Sequence, residues 1–130
     1  MRALIEMWYS RIPAHERDKP VLSYRGRLYT PSDIYREVVA GTRLGEELQR
    51  LVEAVRLSTS VNALVAQFWG VGKARALKWV EALPENFSIV AVDGSVVDKK
   101  GLRMLIEAER GLGAKAIETE ALAAIQLLKA

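Results

Sequence analysis

No cysteine occurs among the 130 residues, which excludes disulfides, thiolate metal sites and cysteine nucleophiles and makes a cytoplasmic location the expectation. Histidine is almost as scarce. His15, in a charged stretch, is the only one, so a histidine-based triad or a multi-histidine metal site would need another chain. No apolar run approaches the roughly 18 residues of a membrane span. The opening MRALIEMWYSR carries an acid inside its apolar stretch and no small-residue cleavage site, so it does not read as a secretory signal. A strong excess of charge is missing too: 19 Lys and Arg stand against 16 Asp and Glu, a net +3, which permits an anionic partner without requiring one.

The acids that are present show no catalytic spacing. Asp93 and Asp98 flank a short apolar segment and could hold a divalent ion, but Asp93-Gly94 is explained by turn chemistry and Asp98 by helix capping. The pairs Glu107/Glu109 and Glu118/Glu120 read as solvated faces. Gly72-Lys73 lacks the surroundings of a nucleotide-hydrolysing loop, because Gln67 and Ala74 stand where that motif needs glycine and a hydroxyl residue. The expectation is a non-enzymatic protein without cofactor, metal, small-molecule substrate or membrane.

Half of the residues are hydrophobic, enough for one core, and a chain of this length buries roughly two-thirds of its unfolded surface. Leu4, Ile5, Trp8, Tyr9 and Ile12 recur at helical spacing over 1–12 before Pro13. VLSYRGRLYT (21–30) is strand-favouring on both sides of Arg25-Gly26, a hairpin signal. Thr30-Pro31-Ser32-Asp33 supplies a cap and a first-turn proline for a helix that lasts until Gly41. Thr42 opens the next helix, whose apolar stripe runs from Leu44 to Leu57 before Ser58-Thr59-Ser60, a cluster able to cap its successor. Two short helices are then expected at 61–68 and 73–83, separated by Gly70-Val71-Gly72 and closed by Pro84.

FSIVAV, Asp93-Gly94 and SVV form a second hairpin with a two-residue turn, and a helix follows over 98–110. After Gly111-Leu112-Gly113, a final helix over 116–130 is nearly all apolar and must be covered by the core or by another subunit. The sum is a helix-rich α+β fold, a single domain over 1–130 with about six helices and two hairpins.

Two stretches point to nucleic acid. In ALVAQFWGVGKARALKWVEAL, apolar Val65 and Phe68 precede Gly70-Val71-Gly72, with Ala76, Trp79 and Val80 beyond. This segment, within 60–83, resembles the helix-hairpin-helix family of DNA-binding motifs. The resemblance implies that Gly70 and Gly72 shape a hairpin, that the amides around Val71 to Lys73 hold a phosphate oxygen, and that Lys73, Arg75 and Lys78 supply cations. Val65, Phe68, Ala76 and Val80 would pack its two helices together. Trp69 stands where that family often has proline and could be partly exposed at such a hairpin. A plain tight turn between helices is the competing explanation.

The second stretch is SYRGRLY with the following helix, where Tyr24, Tyr29 and Tyr35 interleave with Arg25, Arg27 and Arg36. Single strands are held by aromatic faces that stack on bases and by cations that follow the backbone. Tyrosines that simply favour strands, and arginines solvated at a turn, explain the same pattern without a ligand. Taken whole, the sequence is similar to the archaeal ThermoDBP-type single-stranded DNA-binding proteins and their shorter relatives, on the stretch YRGRLYTPSDIYREVVAGTRLGEEL. That likeness implies sequence-tolerant binding of single-stranded DNA by a homo-oligomer. Duplex DNA or structured RNA held by the 60–83 segment, and a protein-interaction or assembly subunit docking through its last helix, are the alternatives.

Overall fold

Hydroxyl and carboxylate caps set the starts of three helices. Thr30 accepts a hydrogen bond from the Asp33 amide while the Asp33 carboxylate takes the Thr30 amide, so that α2 (Pro31–Ala40) begins in a complete capping box. Thr42 caps α3 (Arg43–Leu57) through the Gly45 amide, and Asp98 caps α6 (Lys99–Ala108) through the Gly101 amide. Around these lie α1 (Arg2–Arg11), α4 (Val61–Gln67), α5 (Trp69–Glu81) and α7 (Leu112–Lys129). The computed structural model describes residues 2–130, and the expected helix start at Met1 lies outside them.

The fold is the expected α+β arrangement, with seven α-helices among the described residues where about six were expected, and a turn of 3-10 helix at Ala14–Glu16. The hairpin of β1 (Leu22–Tyr24) and β2 (Arg27–Tyr29) pairs Leu22 with Tyr29 and Tyr24 with Arg27. Its two-residue turn holds Arg25 at φ 51° and Gly26 at φ 75°, the signs that twist-matched hairpin turns require. The hairpin of β3 (Ser88–Val90) and β4 (Val96–Asp98) departs from expectation. Gly94 at φ 86° extends its turn to three residues, closed by Ala91 N to Ser95 O at 2.7 Å. Ser60 stands at the cap of α4 but makes no capping hydrogen bond with its side chain.

The last helix is the spine of the molecule. It starts at Leu112 rather than Ala116, immediately after Gly111 at φ 53°. Its Ala121, Ala124, Ile125 and Leu128 join a core cluster with Ile5, Trp8, Ile34, Leu48, Val52, Leu64 and Phe68. Ile117 belongs to a second cluster with Ala76, Val80, Leu102 and Ile106. Further bonds tie down its end: Trp8 Nε1 donates to Leu127 O at 2.8 Å, Arg56 to Ala130 O at 2.8 Å, and Lys129 to Ser58 O at 2.6 Å. The apolar face that core or subunit had to cover is covered by the chain's own core. Among the described residues no helix is long and apolar enough to cross a membrane.

Candidate nucleic-acid interface

The Gly70-Val71-Gly72 segment is helix, not hairpin. The break between α4 and α5 falls at Phe68 (φ −95°, ψ 9°), and the three residues form the first turn of α5. The Gly72 amide already donates to Phe68 O at 2.8 Å. Glycine serves here as a spacer: a Cβ on Gly72 would lie 2.4 Å from Ile117 O and 2.9 Å from Ala121 N, so α5 meets the backbone of α7 at this point. A Cβ on Gly70 would meet nothing within 4 Å. Val71 is buried. Nor do the four expected apolar residues pack as one pair: Phe68, with Val65 against it, is in the first cluster, and Ala76 and Val80 are in the second.

The basic residues of this segment are committed internally. Arg75 is 2% exposed. Its guanidinium reaches Glu16 Oε2 at 2.7 Å and Pro20 O at 3.2 Å, while Nε sits 3.3 Å from Glu120 Oε1 without the alignment of a hydrogen bond. It clamps the 13–20 loop to α5 and α7, and is no cation available to a phosphate. Burial alone would raise the Glu16 pKa, but the hydrogen bond and charge of Arg75, with Lys19 behind them, hold it below its ordinary 4.5. Lys73 donates to Glu107 O at 3.0 Å and pairs with Glu109 at 3.4 Å, and Trp69 donates to the same carboxylate. Lys78 bonds Asp18 O at 3.4 Å but remains exposed.

The Tyr/Arg hairpin divides differently. Tyr29 is buried in the core. Tyr35 stacks on Tyr9 with ring centroids 4.3 Å apart, and Arg17 lies over Tyr9, so that ring is engaged within the chain. Arg36 pairs with Asp33 at 2.6 Å. Tyr24 is half-buried, with its hydroxyl on Glu47 at 2.9 Å. At the tip, Arg25 and Arg27 are exposed and lack a carboxylate partner among the described residues. Their guanidiniums lie 5.3 Å from the Tyr24 ring and 5.7 Å from the Tyr29 ring, the range of cation-aromatic attraction.

Beside this hairpin is a feature that the sequence did not disclose. Ser23 and Leu22 form one wall of a cleft of about 290 Å³ whose other walls are α3, α4 and α5. Its apolar surface comes from residues such as Leu51, Val55, Leu64 and Phe68. The Ser23 and Ser58 hydroxyls and the Gln67 amide line it with no hydrogen-bond partner among the described residues, and no charged side chain enters it. No local motif could have signalled it, since its walls are brought together from four elements. No family model, curated protein or solved structure matches this chain.

Proposed function

We propose that the protein is a non-catalytic binder of single-stranded nucleic acid, DNA by preference, with the β1–β2 hairpin as its contact. The observation that carries this reading is the pair Arg25 and Arg27, two exposed guanidiniums free of carboxylates and laid against tyrosine rings. Arginine's planar fork suits phosphate oxygens, and its flat face suits stacked bases. The uncharged cleft alongside offers unstacked bases an apolar wall with unpaired hydrogen-bonding groups at hand, the kind of surface that receives bases without reading a sequence. Duplex bases are already stacked and cannot enter it. A cytoplasmic location goes with this reading.

Titration of a labelled mixed-sequence oligonucleotide, followed by anisotropy at low salt, tests the proposal. Binding is expected to weaken steeply as salt rises, since each phosphate contact releases counterions, and unlabelled single strands should compete better than duplex of the same length. Absence of binding at low salt contradicts the proposal. Better competition by duplex removes the preference for single strands.

A further inference from the structure

The β3–β4 hairpin has an outer face of the wrong character for solvent. Val90 and Val96 are directly opposed in the register and are 71% and 69% exposed, and Val92, two residues along, is fully exposed at the turn. A solvated strand face ordinarily alternates to polar residues at these positions. Between β4 and α6 runs a groove of about 730 Å³, lined by Val96, Met104, Leu105 and Ala108, with Arg110 and the helix-capping Asp98 as its charged residues. Met104 is 59% exposed. The Arg110 guanidinium is exposed and has no partner among the described residues. Asp93, at the tip, spends only Oδ1 on its turn, accepting Ser95 N at 2.9 Å and Ser95 Oγ at 2.6 Å, and leaves Oδ2 open.

One molecule therefore presents an apolar projection tipped by an anion and a mainly apolar groove whose unpartnered charge is the cation Arg110. An unrelated partner would need only one of these, whereas a two-fold axis uses both, because each copy then supplies what the other receives. We propose that a second copy of the chain covers this face, the hairpin tip of each protomer seated in the β4–α6 groove of the other with Asp93 against Arg110. The outer edges of β3 and β4, each strand having one neighbour in its sheet, end their exposure in the same step. This assembly uses neither α7 nor the β1–β2 hairpin, and it stands independently of the proposed ligand.

Sedimentation of the full chain over a concentration series should give twice the 14.5 kDa chain mass, falling to the single mass on dilution. Val92→Ser with Met104→Ser should raise the dissociation constant at least tenfold while far-ultraviolet circular dichroism stays unchanged. Arg110→Glu should raise it to a similar degree. Asp93→Asn, which keeps the Oδ1 turn bonds, should weaken the wild-type dimer but recover part of the loss in the Arg110→Glu background, a coupling that only contact between the two positions produces. A monomer at every concentration overturns the proposal, as does a dimer indifferent to these changes. If the serine variant unfolds, the charge cycle decides alone, and absence of coupling overturns the inference.

Discussion

Gly70 and Gly72 are two positions apart and have opposite tasks. At Gly72 the α7 backbone occupies the place of a side chain, whereas at Gly70 there is open space. Gly72→Ala should therefore destabilise by about 1–3 kcal/mol or more, as overpacking does, and Gly70→Ala should stabilise by about 0.5–1 kcal/mol through helix propensity. Urea denaturation of the two variants checks this, and equal losses at both positions would restore a hairpin role. Arg75 makes a second residue-scale prediction. Arg75→Met takes from Glu16 and Glu120 the guanidinium they share, and since only the Arg75 end of these pairs is fully buried, the loss should fall at the lower end of the about 3–5 kcal/mol that breaking a buried pair costs. Glu16 adds a pH dependence. Its folded pKa lies below its ordinary 4.5, so its contribution is present above that value and is lost as pH falls through the folded pKa. The wild type should lose stability below about pH 4.5, and that part of the acid loss should be smaller in Arg75→Met, where Lys19 is left beside Glu16; an identical acid limb in both would contradict the Arg75–Glu16 account.

At the scale of elements, signals contained within a few consecutive residues were legible. Thr30-Pro31, Thr42 and Asp98 start helices in the structure because each cap bonds an amide three residues ahead, and Arg25-Gly26 turns the first hairpin. Gly70-Val71-Gly72 was misleading for a physical reason. Glycine marks a turn when it supplies positive φ and marks a crossing when it removes a side chain, and sequence does not distinguish the two. Gly41, between α2 and α3, and Gly111, before α7, do sit in helix-helix connections and have positive φ, whereas Gly113, inside α7, is another crossing, where a Cβ would lie 2.1 Å from the Leu105 carbonyl. Arg75 was misassigned for a related reason: it shares a helix face with Val71 and Gly72, and the acids that neutralise it are remote in sequence.

On the scale of the whole molecule, α7 joins both core clusters. A chain trimmed before Glu118 should lose cooperative thermal unfolding altogether, whereas a folded remainder would make α7 an accessory. The same organisation redistributes the basic residues. Those of α5 hold the 13–20 loop and the end of α6 in place, and the cations left free at the β1–β2 tip are Arg25 and Arg27. Charge reversal at Lys73 and Arg75 should accordingly appear as lost stability, not as a selective loss of ligand.

The most direct measurement of the hairpin's role is the salt dependence of oligonucleotide binding by Arg25→Asn with Arg27→Gln, compared with the wild type. Asparagine tolerates the positive φ at position 25, so the turn should survive. Loss of two phosphate contacts predicts a logarithmic salt slope shallower by about 1.4 and an affinity lower by roughly tenfold or more, the worth of a charge-assisted hydrogen bond. An unchanged slope and affinity in the folded double variant would contradict the assignment of the β1–β2 hairpin as the nucleic-acid contact.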